Sequence, residues 1–197
     1  MSKITAIVMQ QKNKKRVNLS LDGKFCCSLE AISVLKHNLQ VGQQLELNDL
    51  ESIQLDSEKN TAFDKAIKYL SIRMRSNKEM REYLQQKGYL DVVVDWCMDK
   101  LLQYGYQDDD VFAKLYIQSK ANKNGKYKLE FELKQLGVSQ DIVDKHLKTV
   151  DTKALLCDLM QKKYKGDNKK IVDYCLSRGF VYEDIKQALA EFVAYGD

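Results

Sequence analysis

The side chains with the most chemical reach in this sequence are two histidines (His37, His146), five cysteines (Cys26, Cys27, Cys97, Cys157, Cys175) and the acidic run Asp108-Asp109-Asp110. General acid–base catalysis needs a histidine or carboxylate poised beside the reacting group. A nucleophilic thiol needs a neighbouring base, and a zinc site needs His and Cys at ligand spacing. The histidines fall in separate segments, and no Cys-x-x-Cys or His-x-x-x-His pair occurs. No window holds the three glycines of a phosphate-cradling loop. The acidic run stands immediately before Val111, Phe112 and Leu115, so it reads as a helix cap that complements the helix dipole. The cysteines are odd in number and set mostly among apolar neighbours, as in reduced, packed thiols of a cytoplasmic protein. The sequence therefore predicts no catalytic residues, no metal and no cofactor.

The basic residues are patterned. One group is Arg73, Arg75, Lys78 and Arg81; a second is Lys120, Lys123, Lys126 and Lys128; a third is Lys162, Lys163, Lys165, Lys169 and Lys170. A solvated helix face accounts for any one group. Their recurrence at one point of an internal repeat points instead to an acidic or phosphate-bearing partner. The net charge is only +4 and the pI is near 8.6. Cut at residues 60, 107 and 150, the chain carries +1, +2, +1 and 0, so no segment is a basic tail. Eleven of the aromatic residues are tyrosine, many beside glycines, which suits either base stacking or packing at helix ends.

The elements that must position these groups are mostly helical. The 197 residues include no proline, where ordinary usage is about 5%, so glycine and polar caps do the punctuating. Residues 1–30 alternate in the manner of strands, with Asp22-Gly23 as a hairpin turn. Ser28 is expected to cap a helix through Ile32, Leu35 and Leu39, and Gly42 closes that segment. Asn48-x-x-Glu51 has capping-box spacing ahead of a short helix, and a second helix is expected over 57–73.

The remainder is a repeat read from Gly88, Gly137 and Gly179. Twelve residues before each glycine stands a helix start, Ser76, Gly125 or Asp167; four before stands Leu84, Leu133 or Cys175. Ser76-x-x-Glu79 is a full capping box. Each unit is a helix, a glycine-ended helix and a crossing helix, with first helices expected over 57–73, 109–122 and 152–164. Gly105 ends the long helix of the first unit. The predicted class is mainly α: three tandem three-helix repeats in an elongated, curved body, with a small N-terminal β-containing unit. The boundaries fall at 1–50, 51–107, 108–150 and 151–197. No apolar window is long enough to cross a membrane as a helix.

The run Ala66-Ile67-x-x-Leu70-x-x-Arg73-x-Arg75-Ser76-x-x-Glu79-Met80-x-x-x-Leu84-x-x-Lys87-Gly88-Tyr89 resembles the first repeat of the RecX family. Tyr106-x-Asp108-Asp109-x-x-Phe112-Ala113-x-x-Tyr116-Ile117, followed by Gly125-x-x-x-Leu129-x-x-Glu132-Leu133-x-x-x-Gly137-Val138, resembles the second, and Leu176-x-Arg178-Gly179-Phe180 the looser third. Residues 1–50 resemble an extension found in some members only. The sequence departs from the common pattern at Leu129 and Leu136. The resemblance implies a non-enzymatic, monomeric, cytoplasmic regulator. Its partner would be the RecA filament and the single-stranded DNA within it, and it would inhibit ATPase, strand exchange and coprotease activities in DNA repair, recombination and the SOS response. A stand-alone helical nucleic-acid-binding protein is the alternative reading of the same residues.

Overall fold

The computed structural model describes residues 1–194, so the last three positions of the expected third repeat lie outside the described residues. Among the described residues, the chain divides into two compact units. One comprises residues 1–74 and 80–106, the other 75–79 and 107 onward.

In the first unit, β1 (Ser2–Met9), β2 (Arg16–Leu21), β3 (Lys24–Glu30) and a two-residue β4 (Gln44–Leu45) form an antiparallel sheet ordered β3-β2-β1-β4. The β2–β3 turn puts Asp22 at φ 50° and Gly23 at φ 79°, the paired left-handed residues that a tight hairpin requires. Asp22 also accepts the Lys3 N–H at 2.9 Å, tying the turn to β1. Alternation along the strands sends Ile4, Val17, Leu19 and Leu29 into one buried layer with Leu39, Leu45, Leu50 and Ile53.

The helices here depart from expectation in three respects. Helix α1 (Ala31–Lys36) follows Glu30, not Ser28. Ser28 lies within β3, where its hydroxyl donates to Asn18 at 2.9 Å. Leu39 lies beyond the helix, after a left-handed Asn38. Instead of a short helix and a second one, a single helix α2 runs Leu47–Leu70 for 24 residues, roughly 36 Å at 1.5 Å per residue. Asn48 is inside it and caps nothing; Glu46 holds the cap position. The helix continues because it serves two cores: Leu50 and Ile53 pack under the sheet, while Ala62 and Ala66 pack with α3 (Asn77–Gln86) and α4 (Asp91–Gln103). Ser57, expected at a helix start, sits mid-helix, and its buried hydroxyl accepts the Glu30 N–H at 2.7 Å where β3 ends. The first three-helix core adds Met80, Leu84, Val93, Val94, Cys97, Met98 and Leu101.

In the second unit, α5 (Asp109–Lys120), α6 (Lys126–Gln135) and α7 (Gln140–Leu147) enclose Phe112, Ala113, Ile117, Leu129, Leu133 and Val143. Helices α8 (Thr152–Lys163), α9 (Asn168–Ser177) and α10 (Tyr182–Ala194) enclose Leu156, Met160, Ile171, Cys175, Phe180 and Ile185. The expected first helices are thus shorter by one or two residues at their C-termini. Asp108 caps α5 through the Asp110 N–H at 2.7 Å, and Asp167 caps α9 through the Lys170 N–H at 3.1 Å.

The glycine frame recurs. Gly88, Gly137 and Gly179 have φ of 82°, 81° and 79°. The residue after each donates its N–H five residues back, Tyr89 to Leu84, Val138 to Leu133 and Phe180 to Cys175, closing the preceding helix. Two of these turns also dock inside the second unit. The Ser76 hydroxyl donates to the Leu136 carbonyl at 2.6 Å, and the Gly125 N–H donates to the Arg178 carbonyl at 2.8 Å. Each acceptor immediately precedes a frame glycine, and each donor holds the helix-start position of the preceding repeat. The approach is close: a Cβ on Gly137 would lie 2.7 Å from the Cβ of Lys78, and one on Gly179 would collide with Lys128.

Candidate partner-binding surface

The basic residues singled out in the sequence have unequal surroundings. Arg75 is not on the surface in any useful sense: its side chain is 12% exposed and lies 3.6 Å from Glu79 one helical turn away. Glu79 in turn accepts the Ser76 N–H at 3.1 Å, completing the expected capping box with the Glu79 N–H bonded to the Ser76 hydroxyl at 3.2 Å. Lys78 lays its stem along the Gly137 turn and donates to the Gln135 carbonyl at 3.2 Å. Ser76 and Lys78 thus tie the first repeat's α3 start to the turn of the second.

Others are neutralised by carboxylates. Arg81 pairs with Asp95 at 2.6 Å, Lys162 with Asp158 at 2.7 Å and Lys170 with Asp167 at 3.2 Å. Lys120 meets Glu132 at 2.9 Å and also donates to the Tyr116 hydroxyl. Burial opposes the Glu132 charge, yet Lys120 and Tyr116 hold its carboxyl below the usual range. Arg73 donates to its neighbour's carbonyl, that of Met74, at 2.9 Å. Lys128 packs beneath Gly179, and Lys126 lines a shallow cleft beside Asp151 and Asp184. Among the described residues, Lys123, Lys163, Lys165 and Lys169 are exposed and have no carboxylate partner. Lys123 lies just before α6, and the other three lie around the turn between α8 and α9.

The groups with catalytic potential are committed to packing. Asp108 caps α5, Asp109 accepts the Asn77 N–H at 2.8 Å, and Asp110 receives both Lys145 at 2.7 Å and His146 at 3.0 Å. The Asp109 carboxyl is raised by burial; the Asp110 carboxyl is lowered, chiefly by Lys145. His37 makes the same kind of contact, 3.2 Å from Asp56, which Lys36 also meets at 2.7 Å. Burial pushes the Cys97 thiol up to about 11 and raises Cys175 as well, so neither is a thiolate at neutral pH. Among the described residues there is no group of three His, Cys, Asp or Glu able to hold a metal ion, and no helix long and apolar enough to cross a membrane.

The tyrosines divide. Tyr69 and Tyr83 stack at 3.9 Å, and Tyr104 meets Phe63 edge-on at 5.9 Å. Lys65 lies over Tyr89 at 5.0 Å and Arg178 over Tyr174 at 5.2 Å. Tyr106 and Tyr127 are largely exposed. One constellation that single-residue patterns had not indicated is a cleft bringing Arg16, Lys65 and Lys87 together. Those residues are far apart in sequence and belong to three different elements.

Comparison with known proteins agrees with this architecture. Residues 2–46 match the regulatory protein RecX N-terminal domain, residues 62–101 the first RecX three-helix domain, and residues 108–147 the second. The regulatory protein RecX of Clostridium tetani is 30% identical over 100% of this chain and 96% of its own length. That of Listeria monocytogenes is 31% identical over 96% of this chain and 75% of its own length. A crystal structure of regulatory protein RecX superposes with a TM-score of 0.71 at 22% identity, covering 95% of this chain and 100% of that one. A second, of RecX from Lactobacillus salivarius, gives 0.62 at 20% identity, covering 70% and 97%. Full-length identity to curated relatives, matched domain by domain to the sheet and the glycine-framed repeats, places this chain in the RecX family of regulatory proteins.

Proposed function

We propose that this chain is a non-enzymatic, monomeric, cytoplasmic regulator that binds the RecA filament on single-stranded DNA and inhibits its ATPase, strand exchange and coprotease activities. Family membership is the observation that carries the reading. The site chemistry supports it, because the carboxylates, histidines and thiols that catalysis would recruit are spent on caps, ion pairs and core packing. Of the three basic groups read from the sequence, Lys123, Lys163, Lys165 and Lys169 are exposed without a carboxylate partner and would meet an acidic or phosphate-bearing partner.

The test is a titration of RecA's DNA-dependent ATP hydrolysis with this protein. Sub-stoichiometric protein is expected to slow hydrolysis, and no effect at any ratio refutes the reading. Reversing Lys123, Lys163 and Lys169 together is expected to weaken inhibition without changing the thermal transition. Unchanged inhibition would move the binding surface elsewhere.

A further inference from the structure

Several cations of the three basic groups pair with a carboxylate, and Lys78 and Lys128 lay their stems against the joints between repeats. One place in the first unit is different. A cleft of about 430 Å³ opens between the β2–β3 edge, one face of α2 and the turn that ends α3. Each wall contributes one cation: Arg16 from the sheet, Lys65 from α2 and Lys87 from the turn. Among the described residues none of the three has a carboxylate within ion-pair distance. Arg16 donates to the Ser28 carbonyl at 2.9 Å, while Lys65 and Lys87 rest over the Tyr89 and Tyr83 rings at 5.0 Å and 5.4 Å. Glu58 is the single carboxylate of the lining.

The walls are fixed in advance. Ser57, Thr61 and Lys65 follow one another at four-residue spacing, which places them on one helix face. Ser57 is pinned by the Glu30 N–H, and Thr61 donates to Glu30 at 3.1 Å. The Cys27 thiol is raised by burial, so that part of the lining stays neutral.

We propose that this cleft binds the phosphodiester backbone of a single-stranded nucleic acid, with Arg16, Lys65 and Lys87 as the phosphate-binding cations. Three cations sharing a cleft with one carboxylate, none of them ion-paired, leave an excess of like charge that an anion relieves. An arginine and two lysines beside an aromatic ring are the groups that phosphate-tracking grooves use. The cleft is open to solvent instead of enclosed, which lets a strand pass through and gives a free mononucleotide no pocket in which to be surrounded. The inference concerns naked strand, so it stands or falls separately from the RecA reading.

The test uses the full chain and a fluorescein-labelled oligothymidylate in fluorescence anisotropy at low salt. Lys65→Gln with Lys87→Gln is expected to weaken binding at least tenfold. Each phosphate left without its cation should flatten the slope of log K against log salt by about 0.7, so about 1.4 for the pair. Lys24→Gln with Lys68→Gln removes the same charge from the same unit outside the cleft and is expected to cost less than threefold. Circular dichroism of both doubles checks that they fold. Equal losses in the two doubles, or none in the cleft double, overturn the proposal. Thymidine monophosphate competing as well as the same concentration of nucleotide in oligothymidylate overturns the strand reading in favour of a free nucleotide.

Discussion

Three glycines of the second unit, Gly137, Gly166 and Gly179, share left-handed φ values of 81°, 82° and 79°, yet their surroundings differ. Nothing lies within 4 Å of a Cβ added at Gly166. At Gly137 that atom would sit 2.7 Å from the Lys78 Cβ and 2.8 Å from its Cδ. Alanine at any of the three incurs the left-handed penalty, about 1–2 kcal/mol. At Gly166 that is the whole cost. At Gly137 the turn must also withdraw by nearly an ångström to reach ordinary van der Waals distance. That displacement strains the packing, about 1–3 kcal/mol, and lengthens the Ser76–Leu136 hydrogen bond, about 1 kcal/mol. Gly137→Ala should therefore destabilise the second unit by about 3–6 kcal/mol and Gly166→Ala by about 1–2 kcal/mol. Gly179→Ala should resemble Gly137→Ala, because its Cβ collides with the Lys128 backbone. Urea denaturation followed by circular dichroism, with hydrogen exchange to locate the affected unit, measures the difference. Lys78→Gly supplies the cross-check: it removes the opposing Cβ and should recover part of the Gly137→Ala destabilisation beyond its own effect. Equal destabilisation at Gly137 and Gly166 would refute the claim that close approach between repeats, and not φ alone, fixes glycine at the two docked frame positions, Gly137 and Gly179.

Ser57→Ala should destabilise the first unit by about 1–3 kcal/mol, the usual cost of orphaning a buried partner, since the Glu30 N–H loses its acceptor; a denaturation midpoint within error of the parent would contradict this. Asp110 is held below its ordinary pKa by Lys145 and His146, so its contribution is present above the unfolded carboxylate pKa, about 3.9, and fades as pH falls through the lower folded value. Asp110→Asn should accordingly be less stable than the parent at neutral pH and converge with it at strongly acidic pH, read from urea midpoints across a pH series. Arg75→Glu should unfold more readily, because it sets a second acid beside Glu79 in a nearly enclosed site, whereas Lys123→Glu should leave the melting curve unchanged.

Local chemistry made much of this fold legible. A left-handed φ strongly favours glycine, so the matched surroundings of Gly88, Gly137 and Gly179 exposed the repeat. Asp108 and Ser76 were readable as caps because a cap is satisfied within a few residues. The misreadings involve partners distant in sequence. Asn48 and Ser57 carry helix-start chemistry, but two separate cores hold α2 continuous through both. The two-residue β4 has too little sequence to show a period, and it exists because Lys3 and Ser2 pair with it. Arg75 looked like surface by residue type, but its side chain is largely enclosed beside Glu79 and its carbonyl accepts from Gln107, thirty-two residues on. The Arg16–Lys65–Lys87 cleft was invisible for the same reason.

The uninterrupted α2 has a bearing on how the N-terminal segment can be gained or lost. Because Leu50 and Ile53 belong to the same helix that supplies Ala62 and Ala66 to the first repeat, the sheet is no detachable appendage. Cutting after Leu45 would turn the buried Leu50 and Ile53 to water and strip Ser57 of its partner. A version of this protein without the sheet would have to rewrite the first half of α2, repainting that face polar or starting the helix later. Hydrogen exchange in the intact chain should find β2, β3 and α2 opening together as one cooperative block.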